Sequence, residues 1–118
     1  MGSSPRVGDD LFAPAWFAAG VVTPESAAAF ARIAANTNPP KSPRYWRWAA
    51  FRDFAEERGL LTAAECRAAF ALGEADPDAN LGTALVCCVL YQPACPADLR
   101  RAAAAHPRPA VRRAARQR

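Results

Sequence analysis

Thirty of the 118 residues are Ala, set in clusters that Pro and Gly interrupt. Ala is the strongest helix former, because its side chain loses no rotamer freedom and competes for no backbone hydrogen bond. Val, Ile and Thr, which favour strands, together number only eleven. The balance predicts an all-α fold. Hydrophobic residues make up 52% of the chain, but about half of them are Ala, so large core-forming side chains are scarce. The length suits one domain and is short for two.

Helix boundaries follow from local cap chemistry. Helices are expected over 10–19, 24–36, 43–58, 63–74, 79–91, 96–105 and 110–118. Gly20 stops the first as a left-handed cap, and Gly59 stops the third. Thr23 caps the second, with Pro24 at its first position and Glu25 complementing the dipole. Ser42 caps the third. Thr62 and Glu65 form a capping box for the fourth. Pro and Gly fall between these helical patterns and not within them. The run Ala84 to Tyr91 is apolar without interruption, so the fifth helix is expected to be buried on every face and central to the fold. Leu99, Ala102 and Ala103 mark the core face of the sixth helix; Val111, Ala114 and Ala115 mark that of the seventh.

The segments Gly20-Val-Val-Thr23 and Gly59-Leu-Leu-Thr62 recur 39 residues apart, each placing two apolar residues as a core plug between helices. Three helix pairs after an N-terminal helix give a small α-solenoid-like stack, residues 9–118, behind a flexible lead, residues 1–8. A plain helical bundle whose loops share ordinary caps is the other arrangement that fits. Cys95-Pro96-Ala-Asp98-Leu99, followed by His106-Pro-Arg-Pro-Ala-Val111-Arg112, resembles a HEAT-like or leucine-rich-variant repeat over residues 95–115. That resemblance implies a helical-repeat fragment and a binding role, and names no partner. Helices two to five depart from the pattern in their longer loops and greater aromatic content.

No pattern in the chain specifies a reaction. It has no Gly-rich phosphate loop and no nucleophile elbow, so no catalytic residue and no enzymatic role are expected. His106, the single histidine, ends the sixth helix, where it can bond the last carbonyls. Cys87 and Cys88 are adjacent on a helix, about 100° apart, and so cannot both face one ion. Cys66, Cys87, Cys88 and Cys95 read as small buried hydrophobes, with no metal or cofactor expected; a thiol or metal site at Cys87, Cys88 and Cys95 is a third functional reading. Four Cys and a polar opening without an export signal suggest free thiols in a reducing cytoplasm. No apolar run approaches the about 20 residues of a membrane span. Ala55 to Thr62 resembles the turn of a DNA-binding helix-turn-helix, but the following helix offers only Arg67 as a contact.

Trp46 and Trp48 point about 200° apart on a helix, so both cannot enter one core. One is expected to pack with Phe51 and Ala55. The other faces outward or toward Trp16 and Phe17. An outward Trp between Arg44 and Arg47 suits partner binding, which makes Trp46 with Arg47 a candidate contact. Charge gives the stronger signal. Residues 1–95 carry eight basic and ten acidic side chains; residues 96–118 carry seven Arg and one Asp. The favoured contact surface is therefore Arg100, Arg101, Arg108, Arg112, Arg113 and Arg116. It predicts a non-enzymatic interaction module for an acidic protein surface, with nucleic-acid phosphates as the alternative partner. A terminal repeat also needs a polar outer face for solubility, and these arginines would supply it.

Overall fold

Local caps set the helices of this chain, as the computed structural model shows for residues 11–117, the side chain of Arg58 excepted. The expected flexible lead lies outside these residues. Among them are seven α-helices and no strand: α1 (Pro14–Ala18), α2 (Pro24–Ala35), α3 (Pro43–Asp53), α4 (Ala63–Ala75), α5 (Ala79–Leu90), α6 (Ala97–Ala104) and α7 (Pro109–Arg116). The last turn of α3 widens into a π-helical turn, Phe54–Arg58, that ends at Gly59. No helix among the described residues is long and apolar enough to cross a membrane.

The caps behave as their chemistry requires. Gly20 adopts φ +75°; its N–H donates to the Phe17 carbonyl and the Val21 N–H donates to that of Trp16, the bond pair of a Schellman turn. Thr23 and Ser26 cap each other reciprocally, as do Thr62 and Glu65. Ser42 accepts the Tyr45 N–H. The helix expected over 10–19 is broken at Phe12 and Ala13: Leu11 is helical, α1 starts afresh at Pro14, and residue 10 lies outside the described residues. Pro has no N–H to give and its ring clashes with a preceding turn, so it starts a helix and does not sit inside one.

Packing follows the expected pairs in the C-terminal half. α4 lies along α5, α6 lies on α7, and α7 also packs on α5, while α1 docks on α4. α5 is the centre: Leu81, Leu85, Val86, Val89 and Leu90 are fully buried. It is not buried all round, because Cys87 and Cys88 are half-buried and Tyr91 is 45% exposed. α2 and α3 touch lightly and meet through aromatic rings. Trp16, Phe12, Phe30 and Trp46 form a chain with ring centroids 5.8, 5.9 and 6.4 Å apart. Trp46 is buried with Ala50 and Phe54, one turn apart along α3 and its π-helical extension; Ala55 is exposed, because the inward stripe runs 46, 50, 54.

Two further expectations change. The Val21-Val22 plug is buried as a pair, whereas of Leu60 and Leu61 only Leu61 is inside. Ala102 faces outward, leaving Ala103 and half-buried Leu99 to the core. Two glycines do stand inside helices. A Cβ built on Gly82 would lie 2.2 Å from the Gly73 carbonyl oxygen; one on Gly73 would lie 2.8 Å from that of Gly82 and 2.7 Å from Val86 Cγ2. The backbones of α4 and α5 cross in contact, a spacing that only glycine permits at these two positions.

This crossing gives a contrast between two glycines. Gly82→Ala is expected to cost about 3 kcal/mol or more by overpacking, since the obstructing atom is backbone. Gly59→Ala meets nothing within 4 Å but keeps φ at +81° with ψ at −124°, a region L side chains rarely enter, for a cost of about 1–3 kcal/mol. Chemical denaturation of both variants measures this; equal losses would show that the crossing has room. Leu85→Asp should fail to fold, because it buries an unpaired charge, and a cooperative, native-like melt of that variant would overturn the central placement of α5.

Candidate functional site

The C-terminal hairpin is built from two eight-residue helices, and its arginines divide by what they hold. Arg100 donates to the Gln92 carbonyl at 3.0 Å. Arg108 reaches back to Thr83 Oγ1 at 2.9 Å and to the Ala79 carbonyl at 3.4 Å, tying the start of α7 to the start of α5. Arg112 donates to the His106 and Pro107 carbonyls at 2.7 and 3.1 Å, closing the turn between α6 and α7. These three are half-buried; Arg101, Arg113 and Arg116 are exposed. Residues 108, 112 and 116, spaced four apart along one face of α7, therefore mix fastening and outward side chains. Among the described residues no carboxylate lies within ion-pair distance of any of them.

Arginines elsewhere contrast with these. Arg67 forms a two-pronged pair with Asp98, both bonds 2.8 Å. That engages the single cation of the supposed DNA-reading helix, and Cys66, Ala69, Phe70 and Gly73 of the same helix are buried. Arg47 lies 3.2 Å from Asp76 through Nε, close enough for an ion pair but not aligned as a hydrogen bond. Arg44 donates through Nε to Asp78 Oδ2, and the Trp48 indole N–H donates to the same oxygen at 2.8 Å. Asp78 Oδ1 accepts the Asn80 N–H at 3.0 Å as the cap of α5, while Asp76 accepts the Asp78 N–H at 2.8 Å. The break at Asp76-Pro77-Asp78 is thus a polar corner binding α3 to the start of α5.

This corner corrects the second candidate contact. Trp46 is buried in the aromatic chain and cannot present its ring to a partner. Arg47 is partly covered beside Asp76. The helix rotation that sends Trp46 inward brings Trp48 to Asp78 on the other side.

Two buried polar residues went unread as fasteners. His106 Nδ1 accepts the Arg108 N–H at 3.0 Å, which places the ring proton on Nε2, and Nε2 lies 2.9 and 3.0 Å from the two Glu74 oxygens. The histidine does not bond the last carbonyls of α6; it ties that turn to the end of α4. Glu74 carried a signal, since a carboxylate in the last turn of a helix opposes the dipole and calls for a compensating partner. Gln92 accepts the Leu61 N–H at 2.9 Å and donates to the Gly59 carbonyl at 3.2 Å, clamping the loop before α4.

All four cysteines are free thiols. Burial is the main cause that pushes the Cys66, Cys87 and Cys88 thiols up, which disfavours the reactive thiolate. No three His, Cys, Asp or Glu side chains converge to hold a metal among the described residues. Comparison with known protein families, with characterised proteins and with solved structures finds no match.

Asp78 makes a pH prediction. The Arg44 guanidinium, followed by the Trp48 indole, holds its carboxyl down to about 2. The unfolded value is about 3.9, so the folded chain binds fewer protons between these limits. Stability from the corner is complete above about pH 4 and is lost as pH falls toward 2. Asp98, lowered by Arg67, acts on the same limb. Asp78→Asn should therefore show a shallower acid loss of stability than the native protein. An unchanged acid limb in denaturation profiles would show that the corner contributes nothing.

Proposed function

We propose that this protein is a non-catalytic helical interaction module whose C-terminal hairpin docks an acidic segment of a partner protein. The observation that carries the reading is the charge segregation: six guanidinium groups between residues 100 and 116 form no ion pair among the described residues, while Arg44, Arg47 and Arg67 each pair with an Asp. A local cationic field of this kind speeds encounter with an anionic surface and is screened by salt. The α4–α5 and α6–α7 hairpins, joined by α7 packing on α5, support reading the fold as a short solenoid-like stack with α2–α3 as its first pair.

An acidic protein segment is favoured over single-stranded nucleic acid by what lies between the arginines. The exposed residues of α6 and α7 are Ala, Pro and charged side chains, with no aromatic ring on which a base could stack. Tyr91 stands at the edge, its hydroxyl donating to Gln117 at 2.8 Å, and Tyr with Arg is a composition suited to protein interfaces. Because Arg100, Arg108 and Arg112 hold the hairpin together, the contact is assigned to Arg101, Arg113 and Arg116.

Fluorescence anisotropy with a labelled Asp/Glu-rich peptide, beside a labelled mixed-sequence DNA duplex, tests this across salt. The peptide should bind at low salt, weaken with added salt and lose affinity by about tenfold or more in the Arg101→Glu, Arg113→Glu, Arg116→Glu variant with helicity unchanged. Preferential duplex binding, with a log–log salt slope near about −0.9 per phosphate contact, would replace the protein partner with nucleic acid. No binding to either would leave the arginines as a solubilising outer face.

A further inference from the structure

A depression of about 360 Å³ opens beside the start of α3, lined by Lys41, Ser42, Arg44, Tyr45, Trp48 and Arg52. Three of the six lining residues are cationic and none is acidic. Lys41 and Arg52 are exposed and have no ion pair among the described residues. Arg44 donates to Asp78 through Nε, and no hydrogen bond among the described residues engages its two terminal NH2 groups. The Lys41 Nζ stands 5.4 Å from the centre of the Tyr45 ring. A second recess of about 310 Å³ begins on the other side of Arg44, bounded by Arg47, Pro77, Asp78 and Ala79.

Charge and shape together narrow the ligand. Arg44 is already balanced by Asp78, so Lys41 and Arg52 are the two cations of the recess left without an ion pair, and together they match a ligand with two negative charges. A phosphate monoester supplies two above its second ionisation near about pH 6, with three acceptor oxygens for the lysine, the arginines and the Ser42 hydroxyl. The Tyr45 and Trp48 rings form apolar walls that suit a planar organic group, since the Trp48 N–H is already engaged with Asp78. We propose that this depression binds a soluble phosphate monoester carrying a planar organic group. The site is separate from the C-terminal hairpin and independent of the function proposed for it.

Phenyl phosphate is the probe, titrated at low salt and followed by the NMR shift of the Trp48 indole N–H. Saturation with a Kd of about 1 mM or tighter is expected. Lys41→Glu with Arg52→Glu should weaken it by about tenfold or more, while the Arg101, Arg113 and Arg116 variant binds as the native protein does. Inorganic phosphate should bind more weakly than phenyl phosphate, for want of the ring. Lys41 and Arg52 are exposed, so circular dichroism should confirm that the double variant folds; Arg52→Gln alone is the milder variant, expected to shift the same titration in the same direction. A titration that does not saturate, an affinity unchanged by the Lys41 and Arg52 substitutions, or binding to phosphatidic-acid vesicles without binding to phenyl phosphate would each overturn the assignment.

Discussion

The backbone contact between Gly73 of α4 and Gly82 of α5 is the constraint around which the other helices arrange themselves. Ala-rich helices bury little area per residue, so they gain dispersion energy only by approaching closely. The glycine pair allows that approach, and the consequences spread from it. α1 docks on the outer side of α4, and α7 docks on α5. The space above Gly82 also admits the Arg108 guanidinium, whose NH1 lies 3.5 Å from where a Cβ would stand and which bonds Thr83 and the Ala79 carbonyl. The C-terminal hairpin is thus held against the same crossing that sets the centre of the core.

Directional polar ties supply what a core short of large side chains cannot. Asp76 and Asp78 join α3 to the start of α5, Gln92 clamps the loop before α4, and Glu74 meets His106 at the far turn. Each fixes one loop relative to a helix distant in sequence, and the hydrogen-bonded ones satisfy groups that would be costly if buried alone. These ties also shape the surface. The three aspartates that fasten loops and helices pair with Arg44, Arg47 and Arg67, which leaves the six arginines of the α6–α7 end, and Lys41 and Arg52 at the recess beside α3, without an ion pair among the described residues.

Much of the helical framework was legible because its causes are local. The Schellman turn at Gly20, the reciprocal caps at Thr23 and Thr62, and the Ser42 cap each involve residues within a few positions of one another. The misreadings have a common origin. Gly73 and Gly82 look like helix defects until the neighbouring helix is in place. Trp46 and Trp48 are symmetric choices along the chain, and the ring of Phe30 on one side and Asp78 on the other decide between them. The six arginines were legible as a charged cluster, but their division into three fasteners and three outward side chains depends on carbonyls exposed by turns. The cationic recess was not legible, since it assembles residues two turns apart on α3 with the segment that precedes it.

By itself the sequence determined that the chain is helical, where most of its helices after the first begin and end, and that positive charge collects after residue 95. Those properties rest on backbone propensity, caps and composition, which act over a few residues. Tertiary structure alone decided which charges are neutralised and which rings are covered. The partners lie far apart along the chain, Arg44 with Asp78, Arg67 with Asp98 and Glu74 with His106, and they meet only after the glycine crossing has set the angle and spacing of the helices that carry them.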